Sequence, residues 1–295
     1  MYCCIYYILF TLIKKRLCVI IFLGGEAMNA QKIVFFDIDH TIYDPIKKEI
    51  PKSTRAAIQQ LSMREDVFVA VATGRAHYML DIIDPIKPYI DIYITINGQV
   101  ITYGKKTLHD AHLDQTTIRE VKAIFNKHHL IYGSIGNQTQ AVNRLNEAAI
   151  AEFHQASMPL PRIDPDFDKQ YKVYQMWAFS DDKTFKKVSL DLPEYQVVPW
   201  LSDGFDVVLK NHSKRDGIKK VLAHFNIKLE HAYAFGDGEN DIEMLSYIPN
   251  SYAMGNAKQH VKKSAKEVAP RYDEDGIYKA LVAAKLIKEN DAYDR

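Results

Sequence analysis

Apolar positions along this chain follow two rhythms. Five short runs, 33–36, 67–72, 92–96, 232–235 and 251–254, are almost continuously apolar, with the length and character of strands buried on both faces. Between them, apolar residues recur at helical spacing. Ala57, Ile58 and Leu61 do so after Pro51 and Ser53; Ile218, Val221, Leu222 and Phe225 do so from near Ser213 and Lys214. Met244 and Leu245 open another such face, a helix is expected over 258–265, and Ile277, Ala280, Leu281 and Ala284 mark the last one. This alternation predicts an α/β fold with a doubly wound, Rossmann-like parallel sheet. Asn97-Gly98 reads as a hairpin turn returning through Val100–Tyr103, in preference to a residue facing the ligand crevice.

The rhythm changes near His109 and returns after Leu209. Residues 114–129 predict a helix, 131–135 and 140–142 strands, and 146–153 a helix. A proline-rich irregular stretch follows over 158–169. A strand over 174–179, a short helix after Asp181 and strands over 196–200 and 205–209 complete a separate α+β unit inserted into the chain. Its aromatics, Trp177, Trp200 and Tyr174 among them, are expected in its core.

Charge narrows the function classes. Lys plus Arg number 38 against 37 for Asp plus Glu, so no net field argues for a nucleic-acid or membrane partner. Cys3, Cys4 and Cys18 are the only cysteines, which excludes a disulfide framework or thiolate metal site beyond residue 18 and fits a cytoplasmic protein. Residues 1–27 differ from the rest: two apolar runs flank Lys14-Lys15-Arg16, each shorter than the roughly 20 residues that span a bilayer. Gly24-Gly25-Glu26-Ala27-Met28 can be encoded by a purine-rich ribosome-binding sequence before an ATG, so 1–27 is expected to be a translated upstream leader and Met28 the start. A membrane tether resting on those residues is the alternative.

Candidate chemistry gathers where strands end. The first strand stops at Asp37-Ile38-Asp39-His40-Thr41, and side chains at i and i+2 leave a strand on one side. The second stops at Thr73-Gly74-Arg75, suited to an oxyanion or to a plain helix cap. The fourth stops at Gly236-Asp237-Gly238-Glu239-Asn240-Asp241. In a doubly wound sheet these ends converge on one crevice. Four carboxylates with Lys214, and no cysteine or histidine ligand pattern, describe a site for a hard cation such as Mg2+, which commonly accompanies phosphate. A carboxylate nucleophile there would form an aspartyl-phosphate, with Thr73, Lys214 and Asn240 as phosphate donors.

These four segments, in this order, resemble the motifs of the haloacid dehalogenase superfamily, and the position of the insertion is similar to its Cof-type subfamily IIB. Met254-Gly255-Asn256-Ala257 and Asp275-Gly276 are similar to that subfamily too; the likeness covers about residues 32–286. The resemblance implies core segments at 28–110 and 211–295 around a C2B-type cap at 111–210. It implies Asp37 as nucleophile and Mg2+ ligand, and Asp39 as acid and base with its backbone carbonyl on the metal. Asp237 would be a direct ligand, and Asp241 would support the metal's waters or Lys214. The amides of Ile38 and Gly74, with Thr73, Lys214 and Asn240, would hold phosphate. Two positions depart from the subfamily: His40 stands where Gly is usual, its side chain expected to point away from the metal, and Arg215-Asp216 separate Lys214 from Gly217. The implied activity is a phosphatase for small phosphorylated metabolites. A phosphomutase or a non-catalytic phosphate sensor are the alternatives.

Overall fold

A computed structural model describes residues 32–155, 160–199, 203–210 and 212–289. The leader 1–27 and Trp200 lie outside the described residues. In chain order the first part holds β1 (Lys32–Phe36), α1 (Lys52–Ser62), β2 (Val67–Ala72), β3 (Ile92–Thr95), β4 (Val100–Tyr103) and β5 (Lys106–Asp110). The middle part holds α2 (Gln115–Lys127), β6 (Ile131–Ile135), β7 (Gln140–Val142), α3 (Glu147–Gln155), β8 (Arg162–Ile163), β9 (Gln175–Phe179), α4 (Asp182–Asp191), β10 (Tyr195–Pro199) and β11 (Phe205–Leu209). The last part holds α5 (Lys214–Phe225), β12 (Ala232–Gly236), α6 (Ile242–Tyr247), β13 (Asn250–Ala253), α7 (Gln259–Lys262), β14 (Glu267–Val268) and α8 (Gly276–Ala283).

Eight strands form one sheet in the order β14-β13-β12-β1-β2-β3-β4-β5. The pairs from β14 to β3 are parallel, and β4 and β5 add an antiparallel edge. From β1 the chain winds outward through β2 and β3, and on the other side through β12 and β13, so the order reverses at β1. A ligand crevice is expected beyond the carboxyl end of such a strand. Alternation along β1 explains its unbroken apolar run. Val34 and Phe36 pack with Ala57, Ile58, Leu61 and Leu281 on one face, while Ile33 and Phe35 pack with Ile218, Val221, Met244 and Leu245 on the other.

Phe36, Phe235 and Tyr252 occupy facing positions on β1, β12 and β13 and stack in a row, with ring centroids 5.2 and 4.8 Å apart. Phe235 is fully buried and immediately precedes Gly236-Asp237. Phe235→Ala is expected to cost about 3–5 kcal/mol in urea denaturation, as large buried rings do.

The inserted part builds a second sheet, β10-β11-β9-β6-β7-β8, antiparallel except for β7 with β8. Residues of α2 and α4, such as Ile118, Val121, Phe125 and Val188, cover one face together with Met176, Ala178, Phe205 and Val207. The opposite side chains of the same strands, Gln175, Trp177, Phe179 and Asp206, face away from those helices. Three short strands escape sequence pattern. β5 lacks a long apolar run, and β8 and β14 have two exposed residues each. The helix expected over 258–265 is a single turn, because Val261 is its only buried side chain.

Candidate functional site

The carboxyl ends of β1, β2, β12 and β13 bring their polar turns together. Asp37 leaves β1 with its amide donating to the Phe235 carbonyl at 2.9 Å, which ties it to the neighbouring strand. Lys214 arrives from the other direction, as the first residue of α5, behind the cap Ser213. Its Nζ donates to Asp37 Oδ1 at 2.6 Å and to Asp241 Oδ1 at 2.7 Å. The intervening Arg215-Asp216 does not disturb this approach, because α5 docks by backbone contact. A Cβ on Gly98 would sit 2.3 Å from the Ser213 carbonyl, and one on Gly217 would sit 2.7 Å from Ile94 Cγ2. Gly98 also has φ +95, a conformation that favours glycine.

Asp241 folds back beneath its own turn. Its Oδ2 accepts from the amides of Asp237 and Gly238, each at 2.9 Å, and a Cβ on Gly236 would collide with its carboxyl carbon at 2.5 Å. Lys214 and Asp241 are both fully buried and Asp37 is 6% exposed. Burial pushes the Asp37 carboxyl upward, Lys214 opposes this and Asp241 adds to it. Burial alone would lower the Lys214 ammonium, but Asp241 and Asp37 hold it above its ordinary value. Asp237 is pushed up to about 6, by burial first and then by Asp241. One ammonium faces three carboxylates here, so negative charge is left over.

Carboxylate oxygens of Asp37, Asp237 and Asp241 lie within 4.8 Å of one another. An all-oxygen set with excess negative charge fits a hard divalent cation. The Asp39 carboxylate is not in that cluster. Arg75 holds it in a fork, Nε to Oδ2 at 2.8 Å and Nη2 to Oδ1 at 2.7 Å. The His40 ring is exposed and meets Tyr272 edge-on at 5.8 Å, outside the cluster. Its φ of 55 lets the loop turn back so that its carbonyl accepts from Asn256 Nδ2 at 3.0 Å.

Thr73 is buried, and its Oγ1 accepts from the Arg75 amide at 3.1 Å. Asn97 is a turn residue whose side chain also reaches Asn240. It takes φ 50 in the β3–β4 turn, and its Oδ1 accepts from Asn240 Nδ2 at 3.2 Å beside Gly74. Ile38 is buried, its carbonyl accepting from the Thr41, Ile42 and Tyr43 amides to close the turn that carries Asp39 and His40. Two contacts carried no role from sequence: the Arg75 fork, and Asn256 Nδ2 donating to Asp237 Oδ2 at 2.9 Å. Asn256 follows β13 as Asp237 follows β12, so the strand-end rule that singled out Asp237 reaches it too.

The family model for haloacid dehalogenase-like hydrolases matches residues 34–281. The chain belongs to this family. Among similar proteins is "Putative phosphatase YkrA" of Bacillus subtilis (strain 168), 32% identical over 87% of this chain and 99% of the relative. The crystal structure of a hypothetical protein from Geobacillus kaustophilus HTA426 superposes with a TM-score of 0.81 at 31% identity, over 87% of this chain and all of that one. The subclass IIB sugar phosphatase BT4131 superposes with a TM-score of 0.75 at 30% identity, again over 87% and 100%.

In this haloacid dehalogenase-like hydrolase a cavity of about 680 Å³ lies between Asp37, Asp39 and Asp237 below and the second sheet above. Trp177, read from sequence as core, is 3% exposed and also lines that cavity; Tyr174 is buried with Ala76, Ile96 and Val100. No helix among the described residues is long and apolar enough to cross a membrane.

Proposed function

We propose that the chain is a Mg2+-dependent phosphatase of small phosphomonoesters, working through an aspartyl-phosphate on Asp37. The observation that carries this reading is the Asp37 carboxylate at the sheet's switch point, held by Lys214 inside a three-carboxylate cluster. An Asp37 oxygen attacks phosphorus, and the bond to the leaving oxygen breaks as Asp39 delivers a proton to it. Water then gives its proton to Asp39 and attacks phosphorus, which breaks the bond to Asp37 and frees phosphate. Asp39 must exchange its Arg75 fork for the substrate oxygen before the first transfer. Thr73, Lys214, Asn240 and the amides of Ile38 and Gly74 are assigned to the phosphate oxygens, where charge spreads as the group transfers.

Asp37, Asp237 and the Asp39 carbonyl are the residues that would hold Mg2+, with Asp241 behind them supporting the metal's waters and Lys214. When bound, the ion would neutralise the carboxylates and draw charge from the phosphoryl oxygens. We assign residues 111–210 as the cap that covers the site and excludes water.

Phosphate release is expected with Mg2+ and to vanish in EDTA; release unaffected by EDTA contradicts the metal assignment. The metal assignment also sets a pH dependence. Ligands must shed their protons to bind, and Asp37 and Asp237 are raised to about 8 and about 6. Apparent Mg2+ affinity by calorimetry should therefore fall roughly tenfold per pH unit below about 8 and more steeply below about 6. Stability follows with the opposite sign. A raised carboxyl binds its proton more tightly when folded, so the metal-free protein loses stability as pH rises from about 4 through the raised values of Asp237, about 6, and Asp37, about 8, and Mg2+ restores it.

A further inference from the structure

The three clustered carboxylates are not held by the same groups. Lys214 Nζ donates to Asp37 at 2.6 Å and to Asp241 at 2.7 Å, and two amides hold Asp241 as well. None of these reaches the Asp237 carboxylate. Among the described residues, its hydrogen-bond donor is the Asn256 carboxamide, Nδ2 to Oδ2 at 2.9 Å. The same nitrogen donates to the His40 carbonyl at 3.0 Å, so both of its protons are used. An ionised carboxylate and a carbonyl only accept, which puts the nitrogen, not the oxygen, of the carboxamide toward them. On its other side Asn256 Oδ1 accepts from the Tyr272 amide at 3.4 Å. One carboxamide therefore joins the turn after β1, the turn after β12 and the helical turn Tyr272–Glu274 that precedes α8.

The backbone on either side pins Asn256 in this place. The Met254 amide donates to the Gly236 carbonyl at 2.9 Å, which carries the β12–β13 pairing up to the residue before Asp237. A Cβ on Gly255 would sit 2.7 Å from the Arg271 nitrogen, so glycine is what lets the chain pass this close to Pro270 and Arg271. The Gly255 amide donates to the Pro270 carbonyl at 3.3 Å, and its carbonyl accepts from Lys262 Nζ at 2.6 Å. The Ala257 amide then closes the turn onto the Met254 carbonyl at 2.9 Å.

A carboxylate that is free to rotate must be ordered each time it takes up a cation. A neutral donor orders it without competing for its charge, whereas an ammonium in the same place would compete. Lys214 neutralises; Asn256 orients. We propose that Asn256 is a positioning residue of the metal site. It presets the Asp237 carboxylate and locks the β12 turn to the β1 turn that carries Asp39, so that ligands from two strands stand ready for one cation. The inference rests on the Mg2+-dependent phosphatase reading and deepens it.

The test is binding of MgCl2 to metal-free, full-length protein by calorimetry at one fixed pH, with thermal melting of each metal-free protein beside it. Asn256→Ala is expected to bind Mg2+ about ten- to a hundredfold more weakly than the wild type, as when a group that orients a metal ligand is removed. Asn250→Ala is the control. Asn250 stands at the other end of β13, and its Nδ2 likewise donates twice, to the Glu230 and Ala232 carbonyls at 2.9 and 3.0 Å. Both variants leave two acceptors unpaired and should melt lower, but Asn250→Ala should keep its Mg2+ affinity within about twofold. Asn256→Ser keeps one shorter donor and should fall between Asn256→Ala and the wild type; it carries the test if the alanine protein does not fold. Wild-type affinity in Asn256→Ala, or in Asn256→Ser where that variant carries the test, would overturn the proposal and leave the phosphatase reading standing. An equal loss of affinity in Asn250→Ala would do the same, because a general loosening of the sheet would then explain both. A wild type that binds no Mg2+ would overturn the metal assignment together with this proposal.

Discussion

Asp37→Asn protein should release no measurable phosphate, a loss of at least about four orders of magnitude in kcat/KM if Asp37 is the nucleophile. A carboxamide has nearly the carboxylate's shape but cannot form the acyl-phosphate bond, so the chemistry is lost while the space stays filled. Folding should survive. Lys214 keeps Asp241 at 2.7 Å, and the variant no longer buries the Asp37 charge, whose burial costs free energy in the metal-free protein. Melting temperature and phosphate release, measured together, separate the two effects. An inactive protein as stable as the wild type fits the assigned role, whereas an inactive unfolded one does not report on it.

Lys214→Met should be severe in both respects. Lys214 is fully buried between Asp37 and Asp241, and losing it leaves two carboxylates without their cation. Breaking a buried pair from one side costs about 3–5 kcal/mol, more than leaving a hydrogen bond unmade. The deficit has a pH signature. Asp37, already raised by burial, would lose the ammonium that opposes the rise, so folding would favour its protonated form. The deficit should therefore be largest above neutrality and shrink as pH falls through that raised value. Mg2+, which supplies positive charge at the same place, should recover part of it. Urea denaturation of both proteins across pH, with and without Mg2+, checks this; a deficit independent of pH would point to lost packing instead.

Sequence exposed the core of this site because each strand there is buried on both faces. Uninterrupted apolar runs such as 33–36 and 67–72 end abruptly in polar turns, and those turns are where Asp37, Thr73 and Asp237 stand. Lys214 was readable for a different reason, at the start of an amphipathic helix behind a serine cap. What was not readable depends on long side chains and on faces. The Arg75 fork on Asp39 joins residues from two strand ends, and no local pattern says which way a guanidinium swings. Asn97 satisfied a hairpin rule, and nothing in that rule excludes its side chain from also meeting Asn240. On β9 both faces are buried, Met176 and Ala178 toward the helices and Trp177 and Phe179 toward the cavity, so alternation could not tell core from pocket. Edge strands β5, β8 and β14 leave little apolar signal because much of their surface meets solvent.

The most direct measurement is to acid-quench the enzyme during turnover of a radiolabelled phosphomonoester with Mg2+ and map the label. The expected result is a hydroxylamine-labile phosphoryl group on the peptide containing Asp37, accumulating further in Asp39→Asn and absent in Asp37→Asn. Phosphate release with no label on that peptide, or release that persists in Asp37→Asn, would contradict the assignment of Asp37 as nucleophile.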